Sequence, residues 1–375
     1  MNFFLIVIGA YWLISYVLIK LMGIIVPLYK SPKVRISYWC LNILMISGLG
    51  VLRLIEVNNL TFLGGKILFS YIAMQVMALL LSPFFLIAKK LMNITDDNVD
   101  ESKRRMLKGL AYGLPTLSLG LSLYGTFNES ENIKITEHNI TITDLPPDLS
   151  GFKIVQLSDI HLGLFFSLEK LESVFESIKN EQGDILVITG DLIDDISMLR
   201  KCIALIEKYQ VFFPKGIFIS WGNHEHMRNF TLIEQALSNS SIKILCNSSY
   251  KINERLFLLG VDYPFDNTES KRKNMLEAAL RDVPDNATKL LLSHNPDFIE
   301  DAYDNKIDLT LSGHTHGGQF PGFAQIISMR YKYYKGLYRR GNLYGYVNVG
   351  LGHWMPFRLG CRPELAIFIL KSEEV

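Results

Sequence analysis

Seven side chains in the second half of this sequence carry chemistry by their type and their placement: Asp159, His161, Asp191, Asn223, His294, His314 and His316. Each stands just beyond a short apolar run. Ile154 to Leu157 leads into Ser158-Asp159-Ile160-His161, and Ile185 to Ile188 into Thr189-Gly190-Asp191. Ile217 to Ser220 leads into Trp221-Gly222-Asn223-His224-Glu225, Leu290 to Leu292 into Ser293-His294-Asn295, and Leu309 to Leu311 into Ser312-Gly313-His314-Thr315-His316. Five of the eight histidines of the chain lie in these five segments, which scattered surface histidines would not do. Imidazole and oxygen donors without cysteine suit Zn, Fe, Mn or Ni and not a thiolate zinc site. Seven donors exceed the needs of one ion and suit two ions about 4 Å apart sharing a carboxylate. Such a pair can grip a phosphate, neutralise its charge and make a bound water acidic enough to supply hydroxide near neutral pH.

The elements that must position these groups follow from the same runs. Apolar runs of strand length alternate with helix-like stretches from about residue 132, which predicts an α/β domain. In open α/β sheets, ligands bind beyond the carboxyl ends of the strands, where these side chains stand. Gly190, Gly222 and Gly313 beside them allow tight turns and close backbone approach.

The segments resemble those of the calcineurin-like metallophosphoesterases, and residues 150–370 resemble the branch tethered to membranes by N-terminal helices. Further marks of that branch are Leu311 through Gln319, Pro321-Gly322, Arg358 and Arg362-Pro363-Glu364. The resemblance implies a four-layer αββα sandwich with two divalent metal ions. It implies that Asp159, His161 and His316 bind the first ion, that Asn223, His294 and His314 bind the second, and that Asp191 bridges them. It further implies that His224 faces the substrate and protonates the leaving oxygen. A hydrogen bond to Glu225 is the plain structural alternative for His224.

Other residues carry weaker expectations. Arg358 and His353 are candidate substrate contacts, since the Arg fork matches phosphate and His353 follows the apolar run Tyr346 to Val349. Asn295 and Gln319 are candidates to orient ligand histidines from behind. His226 reads as a solvated loop residue or a pocket wall, and His138 as an exposed strand residue. Asp194 and Asp195 read as the start of a helix. The four cysteines show no paired spacing, so neither a zinc finger nor a redox motif is expected.

The first third reads differently. Hydrophobic residues make up 49% of the chain, concentrated before about residue 125, while the formal net charge is only +1. A near-neutral chain has no strong field to recommend nucleic acid as a partner. Four apolar runs, roughly 3–28, 36–55, 62–88 and 106–125, approach the ~20 residues that cross a bilayer. The second is the weakest, with Arg53 and Glu56 crowding its end. The first lacks the basic start and small-residue cleavage site of a signal peptide. Lys30, Lys33 and Arg35 mark the first loop as cytoplasmic, and Lys89, Lys90, Lys103, Arg104, Arg105 and Lys108 mark the third. Four crossings then place everything after the bundle outside the cell membrane. The expected organisation is an all-α transmembrane domain over 1–127 and a metallophosphoesterase domain over 128–375.

The expected partners are the lipid bilayer and a phosphoester substrate, lipid-linked if the apolar segments Leu164-Phe165-Phe166, Phe320 to Phe323 and Trp354 to Phe357 face an interface. No protein partner and no specific nucleic acid are expected. Phosphodiester or pyrophosphate hydrolysis in an envelope-associated substrate leads. A broad phosphomonoesterase or nucleotide phosphatase and a non-catalytic membrane sensor are the alternatives.

Overall fold

The computed structural model describes residues 2–52, 54–55, 58–91, 100–353 and 355–373; Arg53, Glu56 and Trp354, which entered the expectations above, lie outside the described residues. The chain divides into an N-terminal unit that runs to Glu129 and takes in Met355–Phe357, and a C-terminal unit of the rest from Ser130 onward.

Among the described residues, the N-terminal unit has four α-helices: α1 (Asn2–Ile25), α2 (Pro32–Leu52), α3 (Asn59–Leu91) and α4 (Glu101–Tyr124). Among the described residues, three stretches are long and apolar enough to cross a membrane: Ile8–Ile25, Pro32–Leu52 and Asn59–Leu91. The fourth expected span forms α4, but α4 does not meet the same standard of apolarity. Its first turns carry Glu101, Lys103, Arg104, Arg105 and Lys108, and serines and glycines dilute the remainder. Ser122 Oγ on α4 donates to the Ser70 carbonyl on α3, and Gly113 packs on Phe85, so the two helices run antiparallel. Between α1, α2 and α3 lies a buried polar cluster. Asn42 Oδ1 accepts from Tyr11 (2.6 Å), Ser15 (3.0 Å) and Gln75 (2.8 Å), while Asn42 Nδ2 donates to the Tyr71 hydroxyl at 3.0 Å.

The C-terminal unit opens with β1 (Lys134–Ile142) and β2 (Lys153–Leu157), followed by α5 (Leu168–Ile178), β3 (Ile185–Thr189), α6 (Leu199–Lys208) and β4 (Gly216–Ser220). Then come α7 (Asn223–Met227), α8 (Phe230–Ser238), β5 (Lys243–Ile244), β6 (Ser248–Asn253), β7 (Leu256–Gly260), α9 (Glu269–Leu280) and β8 (Thr288–Leu292). The chain closes with α10 (Phe298–Asp304), β9 (Leu309–Ser312), α11 (Phe323–Arg330), β10 (Gly336–Arg340), β11 (Leu343–Val347) and β12 (Glu364–Ser372).

Two six-stranded sheets result, in the orders β1-β12-β2-β3-β4-β5 and β10-β11-β9-β8-β7-β6. Successive side chains of a strand point to opposite faces, so a strand buried on both sides can be apolar throughout. Thus Ile185 and Val187 of β3 join the core between the sheets, where Leu290, Leu292, Leu309 and Leu311 meet them. Leu186 and Ile188 point the other way, into the layer formed with Leu171 and Phe175 of α5 and Ile203 and Ile206 of α6. On the far side, Leu291 packs with Leu276 and Ala279 of α9 and Phe298 of α10. The layers are therefore helix, sheet, sheet, helix.

Candidate metal centre

β2, β3 and β4 pair in parallel, so their carboxyl ends lie side by side. The turns beyond them carry Asp159 and His161, Asp191, and Asn223. In the second sheet β8 and β9 are likewise parallel, and the turns beyond them carry His294, His314 and His316. The approach is close enough to exclude side chains at Gly190 and Gly222. A Cβ on Gly222 would overlap Asp191 Oδ1, and one on Gly190 (φ +77°) would lie 2.7 Å from Gly222 and from His294 Nδ1. Asp159, His161, Asp191, His314 and His316 all have φ between 49° and 76°. Non-glycine residues seldom adopt that region, and they hold it where the surroundings over-determine it, as at functional sites.

Six of the seven donors converge in two groups, and a third group of possible ligands joins His161 to Asp194 and His224. Asp159, His161 and His316 offer ligand atoms that all lie within 4.8 Å of one another, and so do Asp191, His294 and His314. His316 Nε2 is 3.1 Å from His161 Nε2 and 3.3 Å from Asp159 Oδ1. His314 Nδ1 is 3.2 Å from His294 Nε2. Asp191 Oδ2 lies 3.2 Å from His294 Nε2 in one group and 3.6 Å from His161 Nε2 in the other. Its other oxygen accepts the His224 backbone amide at 2.9 Å, which fixes the carboxylate between the groups.

Several partners set the tautomers. His294 Nδ1 is 2.8 Å from the Thr189 carbonyl, so it donates there and turns Nε2 toward Asp191. His314 Nε2 meets the Tyr331 hydroxyl at 2.9 Å and the Tyr263 hydroxyl at 3.3 Å, leaving Nδ1 for the centre. Buried Glu225 accepts the amides of Asp191, Leu192 and Gly222 and so ties the turn after β3 to the turn after β4. It is not the partner of His224.

The electrostatics are those of donors crowded out of water. Burial opposes charge on His161, but Asp194, Asp191 and Asp159 outweigh it and raise its pKa to about 9. His294 is likewise raised to about 10, with Asp191 and Asp159 overcoming burial. Burial and the neighbouring His294 push His314 down to about 4. Burial also opposes ionisation of Asp191, yet His294, His224 and His161 hold its carboxyl well below the usual carboxylate range.

A metal fits these residues better than a proton does. Ring nitrogens aimed at each other at 3.1 and 3.2 Å can share at most one proton per pair. Asn223 Oδ1 is buried with no hydrogen-bond partner. Buried polar atoms are normally satisfied, and an orphan calls for an unseen water or ion.

The comparisons with known proteins agree. Residues 152–318 match the family described as calcineurin-like phosphoesterase. The chain is 34% identical over 296 residues to YkuE, an uncharacterized metallophosphoesterase of Bacillus subtilis (strain 168), covering 72% of this chain and 98% of that protein. The chain belongs to the calcineurin-like metallophosphoesterase family. It is also 29% identical to a transmembrane protein with metallophosphoesterase domain of Danio rerio, over 67% of this chain and 60% of that one. A protein of the same description from Bos taurus is 29% identical, over 73% and 65%. The chain thus spans less than two thirds of these two vertebrate relatives.

Not every expected residue of this metallophosphoesterase stands where the sequence reading put it. Asp194, read as a helix start, faces the site: Oδ1 lies 2.6 Å from His224 Nδ1 and Oδ2 lies 3.3 Å from His161 Nδ1. Arg228 donates to Asp194 from both Nε and a terminal nitrogen. Asp195 is the residue that caps the following turn, accepting the Ser197 amide at 2.9 Å. The signal available was three acids within five residues directly after a strand. Arg358 is fully buried. It donates to the carbonyls of Val349, Gly350, Gly352 and Cys361, so it fastens its own loop where a substrate contact was expected. His353 is buried as well, in the loop whose Gly352 amide donates to the Asp159 carbonyl. Asn295 Oδ1 accepts the Asp297 amide at 2.9 Å, capping its own turn without reaching a ligand histidine. Gln319 is buried, and its backbone N–H donates to the His316 carbonyl at 3.3 Å. His226 pairs with Asp262 at 2.7 Å and stacks on Phe230. His138 is half-buried against Tyr346 and Phe368, and not exposed.

Proposed function

We propose that this metallophosphoesterase hydrolyses phosphodiester or pyrophosphate bonds of a membrane- or envelope-associated substrate at a dinuclear centre of divalent ions drawn from Mn, Zn, Fe or Ni. The observation that carries the reading is Asp191 Oδ2, 3.2 Å from His294 Nε2 in its own donor group and 3.6 Å from His161 Nε2 in the other. Asp159, His161 and His316 would hold one ion, and Asn223, His294 and His314 the other, with Asp191 shared. Two such ions, when bound, neutralise the phosphate and supply hydroxide near neutral pH.

The chain's own residues do the rest. Asp194 accepts a hydrogen bond from the Nδ1–H of His224, which leaves Nε2, 4.0 Å from Asp191 Oδ2, turned toward the centre. A proton held at that Nε2 is the one delivered to the leaving oxygen. Arg228 balances the charge of Asp194, so Asp194 orients the ring without taking its proton outright. Glu225 keeps the turns after β3 and β4 in register, so Asp191 and His224 stay aligned.

The membrane part of the proposal rests on the helices. Ser122 lies beside Ser70 and Gly113 beside Phe85, so α4 shares the depth of α3, and Tyr112, Leu117 and Leu123 on it are exposed as lipid-facing side chains would be. Four crossings put the metal unit on the face opposite Lys89 and Lys90. Protease added to sealed right-side-out vesicles should then cut after residue 130; protection of that unit would reverse the orientation.

The activity test uses the full chain in nanodiscs with Mn²⁺, an aryl phosphodiester and the matching monoester, with Asp191→Asn as the blank. Diester turnover absent from the blank supports the proposal. Monoester turnover alone replaces it with a phosphatase, and two bound metals with no turnover of either ester replace it with a metal-binding sensor.

A further inference from the structure

The loop after His316 leads directly into α11, and both ends of that helix are tied to the metal-ligand turn. At its start, Gly318 (φ +93°) leaves no room for a Cβ, which would meet the Ala324 amide nitrogen at 2.7 Å. Just past its end, the Tyr331 hydroxyl holds His314 Nε2 at 2.9 Å. A helix so fixed to the site would normally turn its apolar residues inward. None of the residues of α11 is buried. Phe323, Ile326 and Met329 stand three apart, on one face of the helix, and are 38%, 59% and 87% exposed.

The surroundings of this ridge are cationic. Arg330 and Lys332 follow it, paired with Asp297 and Glu300 but with more than half of each side chain still in solvent. Lys335 differs: among the described residues its ammonium has no ion pair, and its one charge contact is the Tyr334 ring at 5.9 Å. Lys335 lines a cleft of about 440 Å³ with Gln319, Phe320, Ala324 and Leu359, next to the His316 turn. An apolar ridge bordered by cations matches a bilayer surface bearing anionic lipid, and this chain carries helices apolar enough to place a bilayer at hand.

We propose that α11 is an interfacial helix: Phe323, Ile326 and Met329 enter the headgroup–acyl boundary of an anionic leaflet, and the Lys335 cleft receives the anionic headgroup of a lipid from it. The second half of this statement rests on the hydrolase reading above; the first half does not. The helix explains how a site at the ends of strands could act on a substrate that never leaves the membrane. Partial insertion of one apolar face is enough, because depth of ~5–10 Å suffices for an amphipathic helix to bind.

The docking is tested without reference to activity. The full chain, with its four cysteines replaced by alanine, takes one cysteine by Ile326→Cys, Met329→Cys or, on the opposite face, Ser328→Cys. Each is labelled with an environment-sensitive dye and reconstituted into phosphatidylcholine–phosphatidylglycerol vesicles containing spin-labelled lipid. Strong quenching at 326 and 329 with little at 328 is the expected result; equal or absent quenching at the three positions overturns the proposal. Should the alanine background fold poorly, benzoylphenylalanine at position 326 of the native chain gives the same answer. Lipid adducts support the helix at the interface, and adducts to a second copy or another protein overturn it.

The headgroup half is then tested on turnover. Phe323→Ser/Ile326→Ser/Met329→Ser should lose about tenfold or more in kcat/KM on a bilayer-embedded phosphodiester, while its rate on a short soluble aryl diester holds. Lys335→Gln should raise KM for the anionic lipid about fivefold with kcat retained. Equal losses on both substrates would overturn the headgroup assignment. Wild-type protein inactive on every ester would sink the hydrolase reading and, with it, the headgroup half, while the quenching result stood by itself.

Discussion

Among the buried polar clusters of the described residues, one in the helical unit and one in the metal unit are built on opposite terms. In the helical unit, Asn42 meets Tyr11, Ser15, Gln75 and Tyr71, and Gln75 Oε1 accepts from Tyr38, with the Ser15 hydroxyl within reach of either amide oxygen. Donors and acceptors are matched within the cluster. In the metal unit the matching fails by design of the same residues' neighbours: imidazole nitrogens face each other, carboxylates face imidazoles, and Asn223 Oδ1 faces nothing. A buried polar group left unsatisfied costs more than a made hydrogen bond returns. A cluster that completes itself therefore positions helices, whereas a cluster that does not is completed by something from outside. The contrast separates a structural polar core from a ligand site without any appeal to residue type.

The largest effect should come from removing the shared carboxylate. Asp191→Asn keeps the shape and discards the charge that both donor groups use. Turnover should fall to background and bound metal, counted by elemental analysis, should drop for both ions. Loss of only one ion would mean that Asp191 serves a single group and that the centre is two separate sites.

Next is His224→Ala. A positioned general acid contributes ~10²–10⁴-fold, so kcat should fall by that order with the metal content unchanged. Metal loss here would move His224 from proton delivery into the ligand set. Asp194→Asn should do less, ~10–100-fold in activity or metal affinity, because it acts through His224 and His161. Its mark is a change in the pH profile of kcat that His224→Ala also removes.

The difference in visibility between Asp191 and Asp194 shows what a sequence discloses. Strand, turn and ligand are local: Val187 and Leu186 alternate between two cores, the strand ends at Thr189, and Asp191 follows within two residues. The five apolar runs therefore announced five strand ends, and six of the seven donors beyond them gather in two neighbouring groups. Asp194 differs because its meaning depends on His224, thirty positions away. Arg358 was misread for the same reason. An arginine's type suggests phosphate, but the two terminal nitrogens of Arg358 donate to four carbonyls of its own loop, and one of them lies 3.4 Å from His316 Nδ1. The parallel pairing of β1 with β12, Lys134 to Glu364 onward, joins the two ends of the domain and left no local trace at all. The apolar segment Phe320 to Phe323 raised the question of an interface, but the exposure of Ile326 and Met329 on the same helix came only with the structure.

A smaller effect is expected in the bundle. Asn42→Leu strips the acceptor shared by Tyr11, Ser15 and Gln75, and interhelical bonds of this kind contribute ~1–2 kcal/mol in membranes. Unfolding of the helical unit in mixed micelles should become easier, while hydrolysis of a soluble aryl ester should be unchanged. Impaired turnover with full metal content would show that the self-satisfied cluster is coupled to the centre, and the contrast drawn above would fail.

The smallest effect belongs to a third arrangement, in which polar groups are satisfied yet open to water. Glu300 on α10 accepts from Lys332 at 2.7 Å, from Tyr333 at 2.6 Å and from Arg340. Burial would raise its pKa, but Lys332, Tyr333 and Arg340 prevail and lower it to about 2. A carboxyl whose folded pKa lies below its unfolded value of ~4.3 stabilises the fold above that value, and the contribution fades as pH falls toward 2. Wild type should therefore melt at a higher temperature than Glu300→Gln at pH 6, and the gap should close between pH 4 and pH 2. Because solvent screens the cluster, the gap should be small and should shrink further in high salt. A gap that persisted at low pH would mean that Glu300 acts through packing and not through charge. It would then belong with the self-completing cluster of the bundle.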